Sequence, residues 1–378
     1  MSHPFQNQRE PGRTARLVAG WLVGVLLAAI VLHLVALPTK HNPELEADED
    51  EPALEFDSED EVSAGVSFKP PITQVAYPGE SGPTAASDGS PLNAQRAESY
   101  LKSICKLGPR PSGSRGMKAQ IRMVDQHFKQ LGAEVELQRF KANNPLGGAK
   151  VRMTNVIARW NPEAKERLLL CAHYDTRPLP DRDPDRLARR QGVFLGANDG
   201  ASGVALLMEM AHLLQDYNGP WGIDVVLFDG EELVYVDRRD PYFLGSQWFA
   251  IQYAKQSAKR DWEYSWAILF DMVGDADLQV HYERNSFAWP ETRPLVKEVW
   301  QTAQRIGVTE FVPGVKHEVL DDHLALKKKA GIRAIDLIDF DYPHWHTQAD
   351  TPDKCSGESL AKVGWVVWEW ILEERIPE

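Results

Sequence analysis

Cysteine is scarce in this chain. Only Cys105, Cys171 and Cys355 occur among 378 residues, and they stand far apart. No CxxC pair exists, which excludes a thiolate zinc site of that spacing. At most one disulfide can form, so the chain is not a disulfide scaffold. Positive charge is also in short supply: 42 Lys and Arg face 55 Asp and Glu, a net charge of −13. The deficit is local. Between Glu44 and Glu61 there are eleven Asp or Glu and no Lys or Arg. The first forty residues are positive, with Arg9, Arg13, Arg16 and Lys40 against Glu10. The body beyond Glu61 is nearly balanced. Nothing in it reads as a basic nucleic-acid surface, so nucleic acid is excluded as a partner. There are no internal repeats.

One segment lacks formal charge altogether. Residues 17–38, "LVAGWLVGVLLAAIVLHLVALP", form a run of 22 residues in which only His33 is strongly polar. A bilayer core needs about 20 such residues, whereas the apolar part of a cleaved signal peptide runs ~7–15. The run is therefore read as one N-terminal transmembrane helix. Arg9, Arg13 and Arg16 precede it and acid follows it, so the positive-inside rule puts residues 1–16 in the cytoplasm and the body outside, periplasmic or extracellular. Residues 39–92 are acidic, rich in Pro, Ser and Gly and without sustained periodicity, which reads as a disordered linker.

The texture changes at residue 93. "AQRAESYLKSICKLG" and "MKAQIRMVDQHFKQLG" have helical spacing and end at Gly. Apolar or alternating runs follow: "VELQRF", "TNVIARW", "RLLLCAHYD", "IDVVLFD", "SWAILFDMVG" and "IRAIDLIDF". Helical patterns such as "SGVALLMEMAHLL" lie between several of them. Strands interleaved with helices predict an α/β domain over 93–378, a three-layer sandwich with a mostly parallel mixed central sheet. In such sheets chemistry gathers beyond the carboxyl ends of the strands.

Those ends carry His173 and Asp175, then Glu231 and Glu232, then Asp271, and finally His346 after the last run; Asp199 stands before a helix in "GANDGASG". Each has a plain reading alone: a hydrogen-bonded histidine, a helix cap, a solvated turn. Their recurrence at successive strand ends in one domain points instead to a nitrogen and oxygen ligand set that suits zinc. With Asp199 bridging, His173, Asp199, Glu232, Asp271 and His346 have the numbers for two ions. Two adjacent glutamates at a strand tip then make sense, one as ligand and one as base.

"AHYDT", "GANDGASGVALLMEMA", "FDGEE", "FDMVGD", "LDDHLAL" and "WHTQADTPD" together resemble the zinc aminopeptidase and glutaminyl cyclase family, here as a membrane-anchored bacterial member. The resemblance runs from about Asn93 to the C-terminus and implies the zinc exopeptidase fold. In the aminopeptidases the matching residues would be ligands His173, Asp199, Glu232, Asp271 and His346. Asp199 would bridge two zincs, Asp175 would orient His173, and Glu231 would be the general base. The cyclases use one zinc on Asp199, Glu232 and His346; Glu231 moves the proton with help from Asp271 and Asp321, and Trp345 lines the pocket. Animal cyclases have a histidine where this chain has Asp336, which is carried as a pocket candidate. "FDGEE", "LDDH" and "WHT" are cyclase-like; the complete five-ligand set is aminopeptidase-like. The implied activity is conversion of N-terminal glutamine of peptides to pyroglutamate with release of ammonia. The alternative is hydrolysis of the first peptide bond. Peptide N-termini are the substrate in both, and the cofactor is one or two zinc ions per chain. The segment "RPLPDRDPDRLARRQG", residues 177–192, reads either as a polar surface loop or as a pocket rim whose arginines meet acidic peptides.

The charge pattern generates a test of topology. Protease added to spheroplasts is expected to digest the catalytic domain; full protection would overturn the orientation.

Overall fold

The structure, a computed structural model, describes residues 45–48 and 89–373. The apolar run at 17–38 and most of the acidic linker lie outside the described residues. Among the described residues no helix is long and apolar enough to cross a membrane.

Strand β1 (Glu46–Ala47) comes first, then helices α1 (Ala94–Cys105) and α2 (Arg115–Gln130). Their starts are set by side chains. Asn93 accepts the Arg96 amide at 2.9 Å and Ser114 the Met117 amide at 3.1 Å, satisfying donors that a helix N-terminus leaves open. Strands β2 (Glu134–Ala142), β3 (Val151–Trp160) and β4 (Glu166–His173) follow, then helices α3 (Ala188–Gln191) and α4 (Ser202–Leu214). Next come β5 (Gly222–Phe228), α5 (Leu244–Lys255), β6 (Glu263–Asp271), β7 (Val280–Tyr282), α6 (Arg284–Ala288) and α7 (Arg293–Ile306). The remainder is β8 (Phe311–Val315), α8 (Asp322–Ala330), β9 (Ala334–Ile338) and α9 (Gly357–Glu373).

The central sheet has seven strands in the order β1-β2-β3-β5-β4-β6-β9, and β7 and β8 form a separate parallel pair. The expectation of a mostly parallel sheet is met on one side only. Strands β5, β4, β6 and β9 are parallel, while β1, β2 and β3 pair antiparallel with their neighbours. The reason is connection length. Only a few residues separate β2 from β3, enough for an antiparallel return and too few for a parallel crossover. The parallel half sits where helices cross over.

Side chains along these parallel strands alternate between two cores. Leu168, Leu170 and Ala172 of β4 join Ile223, Val225 and Leu227 of β5 on one face. Leu169 and Cys171 join Val226 and Phe228 on the other, against Phe249 and Tyr253 of α5 and Leu326 of α8. Both faces are covered, so the strands read as apolar throughout. Helix α4 is buried nearly all round, as its uniform apolarity requires. It presses onto β6 at Gly203, where a Cβ would lie 2.4 Å from the Phe270 carbonyl oxygen. That close approach brings the loop before α4 beside the end of β6.

Residues 45–48 of the acidic segment pair with the central sheet. Glu46 and Ala47 pair with Lys141 and Phe140, and the Asp48 carboxylate lies 2.8 Å from Lys141 Nζ and 3.2 Å from Arg152 Nε. Composition alone counts the acids here and does not show the cations that meet them.

Candidate metal centre

Five elements converge. His173 ends β4, Asp271 ends β6, and Glu231 and Glu232 follow β5 after a tight turn at Gly230. Asp199 precedes α4, and His346 lies in the loop after β9. All are buried except Asp271, which is partly open. His173 Nε2 stands 3.3 Å from Asp199 Oδ1 and 3.2 Å from Asp271 Oδ1. His346 Nε2 stands 3.4 Å from Asp199 Oδ2 and 2.7 Å from Glu232 Oε1. The two oxygens of Asp199 thus face two different histidines. His173, Asp199 and Asp271 form one cradle; Asp199, Glu232 and His346 form a second. The backbone is held in unusual shapes to achieve this. His346 and Met272, the residue after Asp271, have φ of 55° and 46°, in the left-handed region that side chains disfavour. Gly200 has φ of 92°, and a Cβ there would lie 2.6 Å from the Asp175 carbonyl oxygen and 3.1 Å from the His173 ring.

Burial and mutual repulsion set the charges. Glu231 has its proton affinity pushed well up by burial and then by the charge of Glu232. Glu232 is the reverse case. Burial pushes it up, but His346 and Arg177 outweigh that and hold it at about 2. Burial and Glu232 raise Asp199 to about 6. Against their burial, the surrounding carboxylates raise His173 well above its ordinary value and His346 to about 9. A field that draws protons onto two buried imidazoles is a field that draws a divalent cation. The donor set of imidazole nitrogens and carboxylate oxygens fits zinc, and Asp199 Oδ2 is a buried acceptor without a hydrogen-bond partner.

The remaining predicted residues fall in different places. Asp175 lies 3.8 Å from His173 Nδ1, beyond hydrogen-bond reach. Its oxygens accept the amides of Glu231 at 3.0 Å and Glu232 at 3.1 Å, so it fixes the glutamate turn directly. Asp321 caps α8; its Oδ2 is buried without a hydrogen-bond partner, and burial followed by the charge of Asp271 pushes its proton affinity well up. Trp345 lies tilted against His346, with ring centres 4.0 Å apart and 31° between the planes, and is partly exposed, as a pocket wall requires. Asp336 does not line the pocket surface. It is 1% exposed in the middle of β9, with Oδ2 3.8 Å from His323 Nδ1. Burial and then the charges of Asp321, Glu283 and Asp271 push its proton affinity well up, which places it behind the site's acids and not on the pocket wall.

Sequence reasoning missed three supports. Arg177 donates its amide to Glu232 at 3.0 Å and points its guanidinium at the same carboxylate. Asp181 Oδ1 lies 3.0 Å from His346 Nδ1. Asp350 accepts the amides of Asn198 at 2.8 Å and Asp199 at 3.1 Å, fixing the bridging loop. Arg177 adjoins "AHYDT" and Asp350 lies inside "WHTQADTPD", and Arg177 and Asp181 both fall in the 177–192 segment for which a pocket rim was one reading.

Residues 155–371 match peptidase family M28. The chain belongs to this family. A solved structure, a glutaminyl cyclase of Fimbriiglobus ruber, is 40% identical, with a TM-score of 0.72 over 78% of this chain and 100% of that one. A leucine aminopeptidase precursor of Bacteroides thetaiotaomicron is 29% identical, with a TM-score of 0.70 over 77% of this chain and 100% of that one. A glutaminyl-peptide cyclotransferase of Drosophila melanogaster is 25% identical over 281 residues, 68% of this chain and 75% of its own length. The relatives of this M28 chain are therefore glutaminyl cyclases and zinc exopeptidases.

A site this acidic generates a stability prediction. A ligand that binds only the folded state stabilises it by about 4 kcal/mol at a thousandfold its Kd, and about 1 kcal/mol moves the Tm of a domain this size by ~2 °C or more. Chelation is expected to lower the Tm by at least about 5 °C, with zinc restoring it. An unchanged Tm after complete metal removal would contradict the site.

Proposed function

We propose that this protein is a zinc-dependent glutaminyl-peptide cyclotransferase. The observation that carries the reading is the 40% identity to the Fimbriiglobus ruber cyclase across the whole of that chain, joined to the buried acids Glu231 and Asp321 beside the metal cradles. Asp199, Glu232 and His346 would hold zinc, and His173, Asp199 and Asp271 offer a second position. Bound there, zinc supplies Lewis acidity that polarises the side-chain amide carbonyl of an N-terminal glutamine.

The chain's own residues do the rest. Trp345 offers a flat wall to the glutamine side chain. Glu231 takes one proton from the substrate's α-amine as that nitrogen bonds to the amide carbon. It passes the same proton to the departing nitrogen as the old carbon–nitrogen bond breaks. Ammonia leaves and pyroglutamate closes, with no change of oxidation state. Burial and then the charge of Glu232 raise the proton affinity of Glu231 and make it able to hold the proton between the two transfers. Attack is intramolecular, so orientation supplies much of the acceleration. Arg9, Arg13 and Arg16 support placing this chemistry outside the cytoplasmic membrane, beyond a single N-terminal anchor.

The second reading is a di-zinc aminopeptidase. It is favoured by the complete five-ligand set with Asp199 facing both histidines, and there Glu231 would activate water. The two are separated by offering purified protein a Gln-initiated and a Leu-initiated peptide. Ammonia from the first and no free leucine from the second is expected. Free leucine without ammonia would establish the hydrolase instead.

A further inference from the structure

Segment 177–192 is stapled to the turn that carries Trp345 and His346. The Arg182 amide donates to the His346 carbonyl at 3.1 Å, and the Gln348 amide donates to Asp183 at 2.9 Å. Two of its arginines are used differently. Arg177 is buried and spent on Glu232 and Asp181. Arg182 is half exposed, with its guanidinium carbon 5.3 Å from the centre of the Trp345 ring. Its ion pair, with Asp237, is long at 3.8 Å, and Asp237 is shared with Arg238 at 3.9 Å. Such exposed contacts bind weakly, so the Arg182 fork is free to take another carboxylate.

We infer that Arg182 is a specificity-determining residue that reads an acidic side chain at the second or third position of the substrate peptide. The inference rests on the cyclase reading for where the first residue sits. Trp345 touches both His346, at 4.0 Å between ring centres, and the Arg182 guanidinium, at 5.3 Å. With the glutamine amide held at the His346 end, an extended peptide advancing ~3.5 Å per residue reaches the guanidinium within two or three residues. A planar guanidinium stacked on an aromatic face keeps its edge open for bidentate binding of a carboxylate. An opposing attraction borders the same turn: a cleft lined by Asp275, Asp277, Asp339, Asp341 and Asp353, where Lys316 pairs with Asp341 and Lys354 with Asp353. The excess of acid there would draw a basic chain, so the two features predict opposite preferences.

The experiment compares kcat/KM for ammonia release from Gln-Glu-Ala-Ala and Gln-Lys-Ala-Ala at low ionic strength. Wild type, Arg182→Gln and Arg182→Glu are each measured. Each ratio is taken within one protein, so a partial folding loss cancels. The wild type is expected to favour the glutamate peptide by about two- to fivefold, the scale of an exposed charge pair. Arg182→Gln should abolish the preference and Arg182→Glu should invert it. An unchanged ratio in both variants, or a wild-type preference for lysine, overturns the inference while leaving cyclase activity standing. No ammonia from either peptide with wild type overturns the cyclase reading, and this inference falls with it.

Discussion

Buried negative charge that a cation must offset is the constraint on which this molecule's active end depends. Asp199, Glu231, Glu232 and Asp321 are all buried within one constellation, and Asp271 is largely so. The opposite end of the sheet shows how a fold answers one buried acid. Asp224, fully buried in β5, receives Arg167 Nε at 3.0 Å and the Tyr264 hydroxyl. At the strand ends two buried arginines stand near the cluster: Arg177 is shared between Glu232 and Asp181, while the Arg110 guanidinium donates to the carbonyl oxygens of Gly108, Leu195 and Gly196 and reaches no carboxylate. Removing several carboxylates from water without partners is costly. A divalent ion supplies the missing charge at the centre of the cluster, and the protons drawn onto His173 and His346 mark where it belongs.

The scaffold exists to hold that repulsion in place. Parallel strands deliver their carboxyl ends to one edge, so residues distant in sequence meet there. Gly203 lets α4 press onto β6 and so carries Asp199 to Asp271. The Asp175 and Asp350 carboxylates hold backbone amides, which stiffens the glutamate turn and the bridging loop without touching substrate. Backbone strain at His346 and Met272 is tolerated because packing on both sides fixes it. The result keeps the two glutamates apart in character: Glu232 is ionised by its cationic neighbours, and Glu231 is pushed toward its protonated form.

Much of this was readable from residue order, and the failures have physical causes. Apolar runs ending in His173, Asp271 and the Glu231–Glu232 pair predicted strands that terminate in ligands, because a fully buried parallel strand must be apolar until its end. The division of the sheet was not readable, since strand order is set by long-range pairing and places β3 beside β5, a neighbour that no local pattern names. Asp336 was misplaced because a resemblance matches positions, and a position in mid-strand says nothing about which way a buried side chain can reach. Asp181 and Arg177 lie in segment 177–192, whose composition left both a polar surface loop and a pocket rim open. Their roles come from a loop folding back onto His346, a long-range contact that no local pattern encodes. Asp175 was expected beside His173, where it lies 3.8 Å from Nδ1; its hold on the Glu231 and Glu232 amides was not readable, since an amide acceptor and an imidazole acceptor look alike in sequence.

The central claim is that one glutamate of the pair holds the ion and the other moves the proton. Zinc content measured alongside turnover in Glu231→Gln and Glu232→Gln tests it most directly. The account predicts that Glu231→Gln keeps its zinc and loses turnover by ~10²–10⁴-fold, the range of general acid–base catalysis. It predicts that Glu232→Gln loses zinc first, with activity partly restored by excess metal. Loss of zinc from Glu231→Gln with retention in Glu232→Gln would reverse the assignment, and full activity in both would place the chemistry elsewhere.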